Sequence, residues 1–210
     1  MHIVALSDTH NYVPRTAPLD GDLVIHAGDA TNFGGSKELD HFLWWFTNIM
    51  PQKHKIFVYG NHEVKVNDPK SQKVIKSYQK RYENLHILND TGVCIDGIKF
   101  WGSPWCPGER EIMQHWGFYI EDDAERMQKF TLIPNDTDVL ITHTPPLGIL
   151  DKVKNRHLGC PSLLTRVEEI EPKFHVFGHV HESAGIEEHS NTTFINVSYY
   201  DNRKFFEFRI

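Results

Sequence analysis

The chain has 210 residues, of which 40% are apolar and 24% charged, the balance of a globular protein long enough to bury a substantial core. Its formal net charge of -6 leaves no broad basic surface and so argues against a large DNA or RNA footprint. A small phosphate substrate remains compatible with this charge, because bound cations can reverse the sign of a pocket locally.

Short apolar runs, taken in chain order, predict strands that are buried on both faces. Each run has three to five residues and is mostly apolar. They are His2–Leu6, Leu23–His26, Lys55–Tyr59, Val139–Thr142 and His175–Phe177.

Helical patterns lie between several of these runs. Ser36 is a suitable N-cap with Glu38 in the first turn, and apolar residues at helical spacing follow until Pro51. A second helix is predicted from Asp68-Pro69 to about Tyr82, and a third from Pro161 through Ile170.

Elsewhere the pattern predicts hairpins. Val93–Ile95 and Ile98–Trp101 flank Asp96-Gly97, a strong hairpin signal. Three C-terminal segments alternate in the same way: Gly185–Glu188, Thr193–Val197 and Lys204–Arg209. We therefore predict an α/β fold of two packed mixed β-sheets flanked by helices, with residues 1–210 forming a single domain.

The cysteines and the N-terminus indicate a soluble protein of a reducing compartment. The three cysteines (Cys94, Cys106 and Cys160) are widely spaced and form neither a CxxC pair nor a disulfide framework. The apolar run near the N-terminus is too short for a signal peptide, and no stretch approaches the ~18 apolar residues of a membrane span. We expect a cytoplasmic protein without membrane contact, whose oligomeric state the sequence does not specify.

Fourteen histidines direct attention to the ends of the buried runs, because a metal-capable side chain follows each of the five. Carboxyl ends of parallel strands meet at one edge of a sheet, where open α/β sheets build their sites. The side chains are Asp8, His10, Asp29, Asn61, His143, His179 and His181.

This set of two carboxylates, one amide oxygen and four imidazoles is too large for a single ion but suits two. Because the set contains no thiolate, Mn, Fe, Zn or Ni fits better than a sulfur-bound structural zinc, and manganese is favoured. Glycines precede Asp29, Asn61 and His179, and glycine permits sharp turns that aim side chains at a common point. Two divalent ions, two aspartates and a bridging hydroxide leave roughly one positive charge, which attracts a phosphate anion.

Each short motif alone is also typical of an ordinary loop or turn, so the prediction depends on finding all of them in order. His26 at the end of the second run is open to two interpretations, a residue that orients a ligand or a core histidine.

Asp-x-His, Gly-Asp, Gly-Asn-His-Glu, a later His and Gly-His-x-His, in this order from Asp8 to His181, resemble the calcineurin-like metallophosphoesterase superfamily. Four stretches look more narrowly like the small metallophosphoesterase domain-containing proteins, phosphodiesterases related to the class III cyclic-nucleotide enzymes. They are residues 57–63, 102–105, 142–148 and 157–160.

The resemblance implies a four-layer αββα sandwich and specific roles for the residues. His62 would stay off the metals, face the leaving group and act as general acid, while a metal-bridging hydroxide attacks phosphorus. The first metal would be held by Asp8, His10 and His181, the second by Asn61, His143 and His179, with Asp29 bridging the two.

The sequence differs from that of the Ser/Thr protein phosphatases directly after Gly28-Asp29. Residues 30–34, after Gly28-Asp29, read Ala-Thr-Asn-Phe-Gly, whereas the Ser/Thr protein phosphatases carry an arginine there that holds phosphate. This absence makes a protein phosphatase doubtful. Residues expected to line a substrate pocket are Asn32, Phe33, Trp105 and His157.

The leading hypothesis is a dinuclear metal-dependent phosphodiesterase acting on a small ester such as a cyclic nucleotide. Three alternatives stay open: a phosphomonoesterase, a nuclease of short strands, and a non-catalytic metal-stabilised scaffold. The net charge disfavours a long nucleic acid as partner. A scaffold would not need a proton donor such as His62 beside the metals.

Overall fold

A computed structural model describes residues 1–14, 20–108 and 115–210, and the five apolar runs are strands within it. In chain order the described elements are β1 (His2–Leu6), β2 (Leu23–Ala27), α1 (Ser36–Asn48), β3 (His54–Val58), α2 (Pro69–Arg81), β4 (Leu85–Leu88), β5 (Thr91–Ile95), β6 (Ile98–Ser103), β7 (Cys106–Pro107), β8 (Tyr119–Ile120), α3 (Asp123–Phe130), β9 (Val139–Thr142), β10 (Lys152–Val153), β11 (Arg156–His157), α4 (Pro161–Ile170), β12 (Phe174–Phe177), β13 (Gly185–His189), β14 (Thr192–Asn196) and β15 (Phe206–Arg209).

Two mixed sheets contain most of these strands. The first has the order β15-β1-β2-β3-β4, in which β1 to β4 are mutually parallel and β15 is an antiparallel edge. The second has the order β13-β14-β12-β9-β6-β5, with four parallel inner strands and antiparallel edges. The pairs β7–β8 and β10–β11 form small two-stranded additions.

The two sheets pack face to face, and helices cover their outer faces. Ile3 and Ile25 of the first sheet meet Ile141 and Val176 of the second in a buried apolar layer. Apolar side chains of α1 and α2 pack on the other face of the first sheet, and those of α3 and α4 on the other face of the second. The predicted αββα sandwich is confirmed. Burial on both faces explains why the strands read as apolar runs.

The structure corrects some details of the prediction. Gly35, not Ser36, is the N-cap of α1, because the Glu38 carboxylate accepts the backbone N–H of Gly35 at 3.1 Å and replaces a serine cap. The hairpin turn at Asp96-Gly97 is confirmed, with both residues at positive φ. Strand β4 and helix α3 were not predicted from the sequence.

A backbone bridge joins the two sheets where their parallel strands end. Ser7, just after β1, donates its N–H to the carbonyl of Val197 and accepts the N–H of Tyr199, both at 3.0 Å. Gly178, after β12, donates to the carbonyl of His143 at 2.9 Å. The first two contacts join the loop after β1 to the segment after β14, and the third joins the loop after β12 to the loop after β9.

Candidate metal centre

Asp29 Oδ2 lies at the centre of the predicted ligands. It is 3.2 Å from His143 Nε2, 4.0 Å from His10 Nε2 and 3.9 Å from His62 Nε2. On one side, His143 Nε2 is also 3.1 Å from Asn61 Oδ1. These atoms come from loops after β1, β2, β3 and β9, so strands of both sheets contribute to one cluster.

On the other side of Asp29, a second group forms around Asp8. Its Oδ1 is 3.4 Å from His181 Nε2, which in turn is 3.4 Å from His10 Nε2. The nitrogen and oxygen donors of these three residues all lie within 4.8 Å of one another. This group overlaps with the one around Asp29, because the donor atoms of Asp8, Asp29 and His143 also lie within 4.8 Å of one another.

The donor chemistry around His143 fits a cation. Its Nδ1 donates to the carbonyl of Ala27 at 2.9 Å, so in the neutral ring Nε2 carries a lone pair. That lone pair faces Asn61 Oδ1 and Asp29 Oδ2, which are acceptors as well. Three acceptors that converge without a hydrogen between them repel one another unless a positive charge lies among them.

His179 joins the cluster on the side of His143. The two rings meet edge to face with centroids 5.0 Å apart. The backbone N–H of His179 donates to Asp8 Oδ2 at 3.0 Å, and Ser7 Oγ donates to the same oxygen. This pair of donors orients Asp8 so that its other oxygen faces His181.

The charges of the cluster are strongly coupled. Burial would raise the pKa of Asp29, yet the charge of His143 holds it at about 2. For Asp8, burial is likewise outweighed, by a hydrogen bond from His181 and the charge of His143, and its pKa is lowered. The pKa of His143 is raised to about 9, since the charge of Asp29 exceeds the effect of burial. A proton on His143 thus offsets part of the negative charge of Asp8 and Asp29. A divalent cation at this point would offset more of it.

Four of the seven predicted ligands have left-handed backbone conformations. The φ angles are 54° at Asp8, 45° at His10, 54° at Asp29 and 69° at His179. Non-glycine residues at such angles cost of order 1–3 kcal/mol each and concentrate at functional sites. The sharp turns that aim these side chains inward therefore fall on the ligands themselves.

The glycines before three of the ligands are needed for two different reasons. Gly28 has a φ of +98°, as the sequence analysis expected. At Gly60 and Gly178 the reason is space: an added Cβ would lie 2.3 Å from Asp29 Oδ1 and 2.1 Å from Ser7 Oγ, respectively. At these two positions glycine is required for the close approach of other side chains.

His62 lies close to two of the predicted ligands, because its ring nitrogen and the donor atoms of His10 and Asp29 all lie within 4.8 Å of one another. Its Nδ1 lies 3.1 Å from the carbonyl oxygen of Asn32, to which it donates. Its ring meets His10 edge to face, with centroids 4.5 Å apart. The His62 side chain is 23% exposed, and its Nε2 lies 3.9 Å from Asp29 Oδ2.

Glu63, the last residue of the Gly-Asn-His-Glu motif, was given no role from the sequence. In the structure it stabilises the backbone next to Asp29 and Asn61. Fully buried, it accepts the N–H groups of Asp29, Thr31 and Gly60 at 2.7–2.9 Å and the Thr31 hydroxyl at 2.8 Å. Burial and the charge of Asp29 raise the pKa of Glu63, whereas these four donors favour its carboxylate form. It ties the loops after β2 and β3 together.

The four residues expected to line a substrate pocket fall in different places. Asn32 acts through its backbone carbonyl on His62, and Phe33 presents a ring that is 54% exposed. Trp105 instead donates to Asp90 Oδ2 at 2.7 Å and packs against Phe118, contacts that stabilise its own loop.

His157 stands on the β10–β11 hairpin. Its Nδ1 is 2.6 Å from Asp151 Oδ1, which is buried, while the imidazole is 47% exposed. The hairpin is bonded to the turn that follows His181, through Lys152 N–H and Ser183 Oγ at 3.0 Å. The His157 side chain thus lies on an element next to the centre.

Three residues near the centre were not identified from the sequence. The buried thiol of Cys106 lies within 4.8 Å of the ring nitrogens of His143 and His179. Trp116 contacts His62, with ring centroids 4.0 Å apart. Tyr200 packs against His10 and His181 at 5.3 and 5.0 Å. The sequence held a signal for Cys106, because it closely follows an apolar run, Ile98–Trp101, as the predicted ligands follow theirs.

Comparison with known proteins identifies the family. The profile of the calcineurin-like phosphoesterases matches residues 1–183. The chain belongs to the calcineurin-like phosphoesterase family. It is 40% identical over 207 residues to a UPF0046 protein of Caenorhabditis elegans, covering 94% of this chain and 69% of that protein. It is 36% identical over 219 residues to metallophosphoesterase domain-containing protein 1 of Homo sapiens, covering 93% of this chain and 65% of that protein.

The resemblance seen in the motifs is thereby confirmed for this calcineurin-like phosphoesterase, which spans about two thirds of these curated relatives. Its fold is similar to the crystal structure of TT1561 of Thermus thermophilus, with a TM-score of 0.67 and 11% identity. That alignment covers 93% of this chain and 88% of the other. Within the described part of the chain, every helix is too short or too polar to cross a bilayer.

Proposed function

We propose that this calcineurin-like phosphoesterase is a phosphodiesterase that requires two divalent metal ions and acts on a small ester. The observation that carries the proposal is the position of Asp29 Oδ2 between two donor groups. A carboxylate at this point would hold two cations close together, as dinuclear phosphoesterases require.

In the proposed assignment, Asp8, His10 and His181 hold the first ion and Asn61, His143 and His179 hold the second. The ligands are oxygens and imidazoles, which suit manganese, iron or zinc, with manganese favoured. Two such ions, when bound, supply Lewis acidity that neutralises phosphoryl oxygens and makes a water nucleophilic near neutral pH.

His62 supplies the proton in this proposal. Its Nδ1–H is bonded to the Asn32 carbonyl, which fixes the ring and turns Nε2 towards the cluster. When both nitrogens are protonated, Nε2 donates to the oxygen of the departing group. Such general acid catalysis is typically worth ~10²–10⁴ in rate, and most when the leaving group is a poor one such as a ribose hydroxyl.

The residues after Asp29 also support a small diester over a phosphoprotein. The side chain of Thr31 is buried against Glu63, and the carbonyl of Asn32 is bonded to His62. Neither residue supplies the positive charge that the arginine of the Ser/Thr protein phosphatases offers to a phosphate at this point. The proposal covers residues 1–210 as one domain, supported by the shared apolar layer between the sheets.

The test compares bis(p-nitrophenyl) phosphate with p-nitrophenyl phosphate in Mn²⁺, in Zn²⁺ and after treatment with chelator. We expect the diester to be hydrolysed faster, chelator to abolish turnover and Mn²⁺ to restore it. Asp29→Asn keeps the shape of the side chain and removes the bridging charge. It should lower turnover by more than ~100-fold, since even groups that only orient ligands contribute ~10–100-fold.

The matched control for Asp29→Asn is Asp136→Asn, because the Asp136 side chain is 65% exposed and precedes β9, whereas the predicted ligand His143 follows that strand. It should leave turnover unchanged. Full activity in metal-free protein would refute the proposal, and faster turnover of the monoester would replace it by a phosphomonoesterase.

A further inference from the structure

Cys106 places a thiol beside the proposed second metal position. Its side chain is fully buried, and its Sγ forms a group with one ring nitrogen each of His143 and His179. These three atoms all lie within 4.8 Å of one another. The ligand set predicted from the sequence contains no thiolate, whereas the structure adds a sulfur to two of the imidazoles that are proposed to hold this ion.

The position of Cys106 is set by two strand pairings. Strand β6 runs parallel to β9, with Ser103 opposite Thr142, so the segment after β6 begins at the same edge of the sheet as His143. The backbone N–H of Cys106 then donates to the carbonyl of Phe118 at 2.8 Å, next to the β7–β8 pair. Backbone hydrogen bonds thus hold the thiol at the edge where the predicted ligands lie.

The surroundings of Cys106 differ from those of the other buried cysteine. Cys160 belongs to the apolar cluster that contains Leu163 and Phe177, where a thiol serves as a small apolar side chain. The Sγ of Cys106 instead lies near two imidazole nitrogens. The hydrogen bond described for this sulfur, to the carbonyl of Pro104, is a weak one at 3.6 Å. The sulfur is therefore available to a cation.

We propose that the Cys106 thiolate is a ligand of the second metal ion and makes this position prefer zinc to manganese. The inference rests on the proposed two-metal assignment and adds to it a residue that decides the identity of one ion. Zinc binds sulfur at ~2.3 Å and imidazole nitrogen at ~2.0–2.1 Å, so donors that share one zinc ion lie no more than ~4.4 Å apart. The observed limit of 4.8 Å is close to this spacing.

The two metal positions then differ in the softness of their donors. The group at the first position combines the Asp8 carboxylate with the imidazoles of His10 and His181, and carboxylate oxygens suit manganese. The second position gains a soft sulfur, which favours zinc over manganese. When the ion binds, the thiol proton is released to solvent and the cation stabilises the thiolate. We therefore expect zinc at the second position and manganese or iron at the first.

The test uses Co²⁺ as a spectroscopic probe, added to metal-free protein. A thiolate bound to Co²⁺ gives a strong charge-transfer absorption in the near ultraviolet, which oxygen and nitrogen ligands do not give. We expect this absorption in wild type and its loss in Cys106→Ser. The weaker visible bands of bound Co²⁺ should remain in Cys106→Ser, because His143 and His179 are still present.

Two further substitutions assign the absorption to Cys106 without changing that residue. Cys160→Ser is the matched control, because Cys160 is also fully buried and lies at the N-cap of α4, where serine is favoured. Cys94→Ser replaces the exposed cysteine. The double variant Cys94→Ser/Cys160→Ser keeps Cys106 as its one cysteine and should show the full absorption of wild type. It decides the inference even if Cys106→Ser does not fold.

Competition between metals measures the expected selectivity. Metal-free protein is titrated with Zn²⁺ in the presence of Mn²⁺, and the two bound metals are measured by elemental analysis. Cys106→Ser should lower the ratio of zinc to manganese affinity by more than ~10-fold, since even groups that only orient ligands contribute ~10–100-fold. Cys160→Ser should keep the wild-type ratio.

Absence of the charge-transfer absorption from wild type or from the double variant would overturn the inference. An undiminished absorption in Cys106→Ser, or an unchanged ratio of zinc to manganese affinity, would do the same. Hydrolysis of bis(p-nitrophenyl) phosphate by wild type tests the proposed function separately. Hydrolysis without the absorption would reject the thiolate ligand and keep the phosphodiesterase, and the absorption without hydrolysis would keep the ligand and reject the phosphodiesterase.

Discussion

The ring of His62 is turned by the carbonyl of Asn32, which accepts its Nδ1–H at 3.1 Å. Asn32 was expected to line a substrate pocket, and in the structure its backbone carbonyl positions the proposed acid. A peptide carbonyl performs this function for any residue at position 32. The side chain there is thus free to vary without moving His62.

His62→Ala should separate chemistry from metal binding. We expect it to retain two metal ions and to lose ~10²–10⁴ in turnover of esters with alkoxide leaving groups, because these need a proton donor. Aryl esters should be spared. Metal analysis and paired kinetics measure both effects, with His41→Ala, an exposed histidine of α1, as control. Loss of the metals in His62→Ala would show that its assigned role is wrong.

Gly178→Ala should damage the first metal position. The new Cβ would lie 2.1 Å from Ser7 Oγ and 2.4 Å from Asp8 Oδ2, so Asp8 must move. We expect the bound metal to fall from two ions to one per chain, measured by elemental analysis after dialysis. Gly185→Ala is the control, because its Cβ meets nothing closer than 3.6 Å. Two ions per chain in Gly178→Ala would contradict the assignment of Asp8.

Glu63→Gln should destabilise the loops beneath the centre. The new amide would turn an N–H₂ group towards backbone N–H donors of Asp29, Thr31 or Gly60, which leaves buried donors unpaired. We expect the free energy of unfolding to fall by about 1–3 kcal/mol, measured by urea denaturation of metal-free protein. The exposed Glu188→Gln should leave it unchanged. An unaltered urea midpoint in Glu63→Gln would mean that the carboxyl group is protonated and already donates.

Acid should destabilise the metal-free protein partly through His175. Burial lowers the pKa of this ring to about 3, against the usual value of 6.5 in the unfolded chain. Between these values the unfolded state binds more protons, so the stability present above pH 6.5 is lost as pH falls towards 3. The loss is up to ~1.4 kcal/mol per pH unit for one histidine.

His175→Gln keeps a donor for Thr142 Oγ1, which lies 2.8 Å from His175 Nε2, and removes the titrating group. Its unfolding free energy should depend less steeply on pH from 6.5 to 3 than that of wild type, in urea titrations at fixed ionic strength. His189→Gln, on an exposed ring of β13, should keep the wild-type slope. Identical slopes for His175→Gln and wild type would rule out His175 as a source of the acid sensitivity.

The sequence predicted the architecture because both faces of the inner strands are buried, so their apolar runs are conspicuous. It predicted the convergence of Asp8, Asp29 and His143 because the ends of parallel strands share an edge. Helix α3 was missed since its eight residues, Asp123–Phe130, are mostly polar, with apolar Phe130 at its end.

The surroundings of the centre were less predictable. Trp116 and Tyr200 reach it from loops, where position depends on tertiary contacts that no local pattern encodes. Cys106 was overlooked because β6 was interpreted only as one arm of a hairpin. Its parallel pairing with β9, seen in the structure, brings the following residues to the ligand edge.

The proposed metal ligands come from both sheets, so metal binding would also affect the stability of the fold. Asp8, Asp29 and Asn61 extend from one sheet and His143, His179 and His181 from the other, so each ion would fasten both halves of the sandwich. Ligands that bind only the folded state add to its stability in proportion to the logarithm of their concentration. A cell short of the ion would then lose protein as well as catalysis, and the abundance of the chain would follow the supply of metal.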